Sequence, residues 1–576
     1  MMFEIPPVLA MLLGLVLLPL LPERTRSLAF IAFPFLALLL VLNLPLGAEK
    51  SFGFLDYELV PLQVDQLSRA FGIIFALIAF MGGIYSLHLR DTGQQLAALL
   101  YSGGALGVTF CGDFFTLLVF WELMAVSSAY LIWARRTPAS DKAGLRYLLM
   151  HLFGGSLLMA GIIIQVFQTG SPALTSFAPG ESVASWLILI GVALNAAVVP
   201  LHAWLPDSYP KGTVTGSVFL SAFTTKTAVY VLATLFPGWP ILLVLGVTMT
   251  IYGVVFAFLA NDIREILAYH IVSQVGYMVA GVGIGTELAL NGTTAHAFSH
   301  ILYKALLFMG TGAVLYSVGT SKLHELGALA SKMKWVLVFY MVAALSISGA
   351  PLFNGFISKS IIVTAAGESH YYIAKMLLIL ASVGTFLSVG VKLPYYTWFH
   401  TPKKEHQPRP IPKGMLVAMA LTSFLCIFYG IWPQALYMEL PYAMDYTPFT
   451  IPHLVESLQI LVTTFLAFWL VRAKLTPKNK ISLDVDWFYR ASAPGFRLVF
   501  VQGVNWFFGL CEDKAFAFAG SLARLSRHPV QVLRTWSSAE RDYDQDLDRQ
   551  PLANPMFATI LITLLVFLYV LLRQGG

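Results

Sequence analysis

The chain reads as an all-α polytopic membrane protein with about 16 transmembrane helices, and three observations carry that reading. Of its 576 residues 57% are hydrophobic and 11% charged, against the roughly 25% charge of an ordinary soluble domain. Apolar runs of about 20 residues, the length that crosses a bilayer's hydrocarbon, recur from one end to the other. The loops between them are alternately rich and poor in Lys and Arg, as expected when one side faces the cytoplasm. Together these exclude a soluble globule, a disordered chain and a disulfide-stapled secreted domain. The three cysteines (Cys111, Cys426 and Cys511) form no CxxC pair and signal neither zinc nor an iron–sulfur cluster. The net charge of +6 belongs to loop topology rather than to nucleic-acid binding.

The first run, from Pro7 to Leu21, lacks a basic leader and a small-residue cleavage site, so it is expected to remain as a helix. Runs at 28–46 and 67–88 complete an N-terminal group of spans at 1–94. Five more lie at 95–112, 114–134, 145–168, 185–204 and 213–236. Another five lie at 239–260, 265–285, 291–318, 334–366 and 371–399. The run at 334–366 exceeds a normal span and contains Gly349, Pro351 and Gly355, which predicts a helix broken near mid-membrane. Runs at 413–432 and 452–472 form a C-terminal group at 413–473.

Residues 484–550 mix aromatics such as Trp487, Phe500 and Trp506 with charges such as Arg490, Arg497 and Lys514, then turn acidic at Asp542, Asp544, Asp546 and Asp548. That predicts an amphipathic lateral helix on the cytoplasmic interface, interrupted near Pro494 and Pro529. A last apolar run at 555–573 is an anchor helix. The basic loops, which hold about 20 Lys and Arg, put their side in the cytoplasm and the N-terminus outside.

Ionisable groups in the middle of a span cost roughly 2.5–3.5 kcal/mol each on insertion scales, so a chain that keeps several is using them. Glu122 lies in FWELMAV and Lys226 in SAFTTKTAVY. His296, His300 and Lys304 are spaced four apart and share one helix face. Lys359 follows the Gly–Pro break and Lys392 lies in the next run. Acid, imidazole and amine groups in such a series can pass a proton between them and couple electrostatically across a poorly screening interior. The plainer alternatives are structural ion pairs for Glu122, Lys226 and Lys304, a satisfied interior imidazole for His296, and a snorkelling amine for Lys392. His151, His270 and Asp113, nearer the ends of their runs, read as structural or interfacial.

VVPLHAWLPDSYPKGTVTGSVFLSAFTTKTAVY resembles the signature of the antiporter-like proton-pumping subunits of respiratory complex I, Mrp-type cation/proton antiporters and membrane-bound hydrogenases. DIREILAYHIVSQVGYM, HAFSHILYKALLFMGTGAV and GAPLFNGFISKS resemble the following blocks, in order, over about residues 60–420. The resemblance implies two inverted five-helix repeats, at 95–236 and 239–400, with broken helices and a central polar axis. It also implies that Glu122 is the acid of the first half-channel and Lys226 the link between halves. His296, His300 and Lys304 would then be the relay of the second half, and Lys359 its terminal exchange group. A bacterial or archaeal cytoplasmic membrane and partner subunits follow from the same resemblance. One position departs from it. Asn195 stands where the family usually has the lysine that pairs with the glutamate, so either Glu122 pairs with Lys226 or another subunit or the first half-channel is altered or silent; the first is expected, with neutral Asn195 and water bridging the gap.

No phosphate-binding loop, dinucleotide fingerprint, cofactor site or metal ligand set is evident, so energy is expected from partner subunits or an ion gradient. The reading is a subunit that moves protons, with sodium exchange left open. The alternatives are a non-conducting assembly subunit and the membrane half of an inorganic-carbon uptake system.

Overall fold

The computed structural model describes residues 4–402, 405–478, 483–527 and 553–574. The chain divides into two units, Met1–Asp484 and Val485–Gly576.

The first unit opens with α1 (Val8–Leu17) and α2 (Glu23–Asn43), a two-stranded hairpin of β1 (Glu49–Phe54) and β2 (Tyr57–Gln63), and α3 (Gln66–Tyr85). The hairpin has no counterpart in the sequence reading. Its β2 is tied down by Asp113, which accepts from the Val60 N–H at 2.8 Å while capping the third helix after it, Phe114–Trp133. Asp113 is therefore structural, as expected.

Two successions follow. The first is α4 (Thr92–Phe110), α5 (Phe114–Trp133), α6 (Pro138–Thr169), α7 (Val183–Asn195) with α8 (Trp204–Ser208), and α9 (Gly216–Ala222) with α10 (Thr224–Leu235). The second is α11 (Pro240–Leu259), α12 (Ile263–Ile284), α13 (Glu287–Val318), α14 (Lys334–Ser348) with α15 (Asn354–Glu368), and α16 (Tyr372–Thr385). Wide π-type turns extend α16 through Phe386–Lys392 and Tyr395–Phe399. The unit closes with α17 (Lys413–Ile431), the single turn α18 (Gln434–Tyr437) and α19 (Ile451–Val471).

Helix starts obey side-chain chemistry. Asp65, Asp91, Asp113, Thr137, Ser182, Asp262 and Thr286 each accept a backbone N–H of the first turn that would otherwise be orphaned. Both 32-residue helices, α6 and α13, end at a glycine in the left-handed region, Gly170 at φ +70° and Gly319 at φ +86°. The two successions match in detail. Asp113 caps α5 and forms a strand-like bridge with Ala173 beyond α6; Asp262 caps α12 and bridges Lys322 beyond α13. Five traverses, α5 through α11, separate those two starts, so equivalent helices run in opposite directions.

Among the described residues eleven helices are long and apolar enough to span a bilayer, and four shorter apolar helices accompany them. Five of the sixteen runs fall outside that count: the run at 185–204 breaks into α7 and α8 and the run at 334–366 into α14 and α15, the first and last runs form shorter apolar helices at Val8–Leu20 and Pro555–Val570, and α4 is not among the eleven. The second unit holds α20 (Asp486–Phe496), π-type turns at Arg497–Gly503, α21 (Val504–Arg527) and α22 (Ala553–Gln574). Pro494 does not stop α20. The helical path continues past it through the wide turns at Arg497–Gly503. The acidic aspartates at 542–548 and Pro529 lie outside the described residues.

Candidate functional site

Breaks in helices expose backbone carbonyls within the apolar interior, and cationic side chains take them up. At Phe223, between α9 and α10, the helix is interrupted, and the Lys226 amine donates to the Ser221 carbonyl at 2.6 Å and the Thr225 hydroxyl at 3.1 Å. Lys226 is wholly buried. Gly349 ends α14 at φ +74°, and the Lys359 amine of α15 reaches back across the break to the Ile347 carbonyl at 2.6 Å. Lys392 donates to the Phe258 and Ala260 carbonyls at 2.5 and 3.0 Å, which closes the C-terminus of α11.

Between Lys226 and Lys359 stand the groups of α13. His296, His300 and Lys304 are wholly buried and share one face. The His296 and His300 ring centroids are 6.2 Å apart. His296 Nδ1 lies 3.0 Å from the Ser358 hydroxyl, one residue before Lys359, and the Lys359 amine sits 5.2 Å over the Tyr277 ring. His300 also stands edge-on to the Tyr303 ring of the same helix, centroids 5.3 Å apart. Several buried polar atoms along this row lack a hydrogen-bond partner among the described residues: both His300 ring nitrogens, His296 Nε2, the Lys304 amine and Asn354 Oδ1. His270 joins the row's edge, with Nε2 2.5 Å from the Ser388 hydroxyl. The arrangement brings together five of the eight residues singled out in the sequence, and Lys392 stands apart at the end of α11.

Beside Lys359, which lines it, a cavity of about 90 Å³ opens, with Ser360, Lys375, His453, Glu456 and Ser457 also in its wall. His453 and Glu456 sit on the first two turns of α19, which no motif had marked.

The first half is arranged otherwise. Glu122 of α5 is half-buried, and its carboxylate occupies the space where a methyl on Gly155 of α6 would be. No direct ion pair or hydrogen bond from a described residue reaches it; the Lys226 amine is taken up by the carbonyl freed at its own helix break. Asn195 Oδ1 lies 2.6 Å from His151 Nδ1, and the His151 ring packs between Tyr147 and Trp204. His151, read as structural from its position, thus touches the departing residue. His151 and His300 each stand thirteen residues beyond the first residue of their 32-residue helices. Aligning the two successions in the sequence would have found it.

A multi-pass α-helical protein with an inverted internal repeat, whose broken helices meet around a buried row of amines and imidazoles, is the class these features define. The chain belongs to the NADH:quinone oxidoreductase/Mrp antiporter transmembrane family, whose family model matches residues 111–388. It is 30% identical over 390 residues to a Methanocaldococcus jannaschii protein, covering 64% of this chain and 80% of that one. It is 27% identical over 447 residues to hydrogenase-4 component B of Escherichia coli K12, covering 69% of this chain and 66% of that one. To a Na(+)/H(+) antiporter subunit of Alkalihalophilus pseudofirmus it is 31% identical over 323 residues, 53% of this chain and 65% of the relative. The chain thus spans just under two thirds of the length of the last two. Among solved structures it superimposes on a chain of the Mrp complex from Dietzia sp. DQ12-45-1b with a TM-score of 0.67 at 22% identity, covering 81% of this chain and 99% of that one. A chain of respiratory complex I from Thermus thermophilus gives 0.65 at 23% identity, covering 74% and 97%. At these identities the fold is what is shared.

Proposed function

We propose that the chain is a proton-translocating subunit of a multisubunit Mrp-type, complex I-like or hydrogenase-like complex in the cytoplasmic membrane of a bacterium or archaeon. One observation carries this: the buried row from Lys226 through His300, Lys304 and His296 to Lys359, with polar atoms along it that no described residue pairs. Unpaired polar atoms in an interior are satisfied by water, and water between imidazoles and amines makes a proton path. In so poorly screening a medium, a charge at Lys226 raises the cost of a second charge at His300 or Lys304, so a proton arriving at one end pushes its neighbours along. The helix breaks beside Lys226 and Lys359 supply the local freedom that lets each amine leave its carbonyl. On this reading the basic loops and the N-terminus lie on opposite faces, the N-terminus outside, and the cavity beside Lys359 is the outward mouth. The same residues would serve sodium exchange if a partner subunit supplied the oxygen ligands that ion needs.

The test is proton flux in vesicles carrying the intact complex. Lys304→Ala, which leaves helix packing and the two carbonyl-bound lysines in position, is expected to reduce flux at least tenfold while partner chains still co-purify. Full flux in both Lys304→Ala and Lys226→Ala would overturn the reading. A second reading, in which only the later half conducts, draws on the uncharged Asn195–His151 pair. It predicts that Glu122→Gln leaves flux intact while Lys304→Ala abolishes it.

A further inference from the structure

Asp484, the last residue of the first unit, carries a carboxylate into the bundle at a point remote in sequence from every element that receives it. It is 8% exposed. His202 Nε2 lies 3.3 Å from its Oδ1, Tyr269 of α12 donates its hydroxyl to Oδ2 at 2.7 Å, and Tyr252 of α11 donates to Oδ1. The Tyr252 ring also stands edge-on to the His202 ring, centroids 4.6 Å apart. Burial pushes the Asp484 carboxyl up, but the hydrogen bond and charge of His202 and the two tyrosine hydroxyls outweigh it and hold the group at about 2. It is therefore an anion at every physiological pH.

His202 is wholly buried in the non-helical stretch between α7 and α8, the break of the first half. Two residues on, Trp204 donates its indole N–H to the Leu194 carbonyl at 3.0 Å and packs edge-on against His151 at 4.5 Å. Whatever fixes His202 therefore fixes the segment that holds the Asn195–His151 pair. Tyr252 and Tyr269 belong to the other half. One carboxylate thus joins the hinge of the first half, two helices of the second, and the chain that follows α19.

We propose that Asp484 is a strap, a positioning residue that pins the α7–α8 hinge to α11 and α12 and so limits how far that hinge opens. The transport role of the hinge rests on the function proposed above; the strap itself does not. A buried anion held by charge-assisted hydrogen bonds from two tyrosine hydroxyls, the strong class, and in contact with His202 Nε2 at 3.3 Å ties three segments together. Removing its charge releases His202 and lets the non-helical stretch sample open states, which chemical labelling reads as local unfolding.

The experiment uses the intact complex in native membranes, with Cys511→Ser to remove the exposed thiol and Val198→Cys as a hinge reporter for a small maleimide. Cys111 and Cys426 are buried and stay silent. Asp484→Asn is expected to speed labelling about tenfold, a local opening read independently of ion flux. Asp484→Glu should stay close to the parent, because the charge is kept. His202→Asn should raise labelling similarly, and the double variant should go no further than either single one. Should Asp484→Asn fail to assemble, the pair Tyr252→Phe with Tyr269→Phe keeps the packing and removes only the two hydroxyls, with a rise of about threefold expected. Unchanged labelling in whichever of these assembles overturns the strap. Parent complex that labels as expected but moves no protons would sink the transport reading and leave the strap standing.

Discussion

A carboxylate near the rim of a membrane-spanning helix bundle has to be answered by something, and at Glu122 the answer within the chain is space rather than charge. Lys226 and Lys359 each sit on a carbonyl freed by a helix break, which offsets the cost of burying an amine. Among the described residues, Glu122 has only the notch left by Gly155. A methyl at Gly155 would meet the far end of a flexible side chain, so the carboxylate would swing aside with little effect on the fold. Gly155→Ala is therefore expected to leave the amount of assembled complex unchanged and to lower proton flux towards the level of Glu122→Gln. Parental flux in Gly155→Ala, measured in the same vesicles, would show that the notch has no part in transport. The same contrast explains why Asn195 was conspicuous in the sequence and its partner was not. A missing lysine is visible against the family's motif, whereas His151 is visible only once α6 is laid beside α13.

The helices show which physical signals a sequence carries openly. Apolar runs predicted the spans because each must bury or present about 20 residues to hydrocarbon, and Asp, Ser and Thr caps fixed their starts. The break after α14 was legible because Gly349 adopts a left-handed φ of +74° that other residues resist. The break at Phe223 was not: no Gly or Pro marks it, and only the carbonyl-bound Lys226 reveals it. The hairpin at 49–63 was missed because its β1 is exposed throughout and its hold on Asp113 is a tertiary contact. The Asp484 site lay beyond reach for the same reason, since its partners come from three separate segments. The α11–α12 pair is held by a different device. Gly253 of α11 and Gly276 of α12 bring the backbones so close that a Cβ on either would collide with main-chain or Thr250 atoms of the neighbouring helix. Gly276→Leu should cost at least about 1–3 kcal/mol by overpacking and empty the membrane of assembled protein, while Gly495→Leu, with open space around it, should not. Equal amounts of both variants on an immunoblot would refute close backbone packing as the reason for these glycines.

Across the whole bundle unit, the inverted succession gives the two halves opposite faces, and that has a consequence for where each opens. The Asp113–Ala173 bridge and the Asp262–Lys322 bridge lie at opposite ends because five traverses separate them. The basic loops gather at the end that holds Arg264, whose guanidinium grips the Pro210 and Gly212 carbonyls and the Ser217 hydroxyl and so closes the linker between α8 and α9. The cavity beside Lys359 runs from the Gly349 break along α15 to the first turns of α16 and α19, towards the other end. It brings Lys375, His453 and Glu456 to the side of Lys359, the later of the two lysines at the limits of the buried row. A path that ends there must discharge on the acidic-loop face. In sealed vesicles of known orientation, with Cys511→Ser as background, Ser457→Cys should react with a membrane-impermeant cationic thiosulfonate from the acidic-loop side only. Because the attached cation would sit in the same cavity as Lys359, its repulsion should also suppress proton flux, and reduction of the mixed disulfide should restore it. Labelling from the basic-loop side would reverse the assignment of the two faces. Complete labelling with undiminished flux would leave the cavity a cleft between helices rather than the mouth of the path.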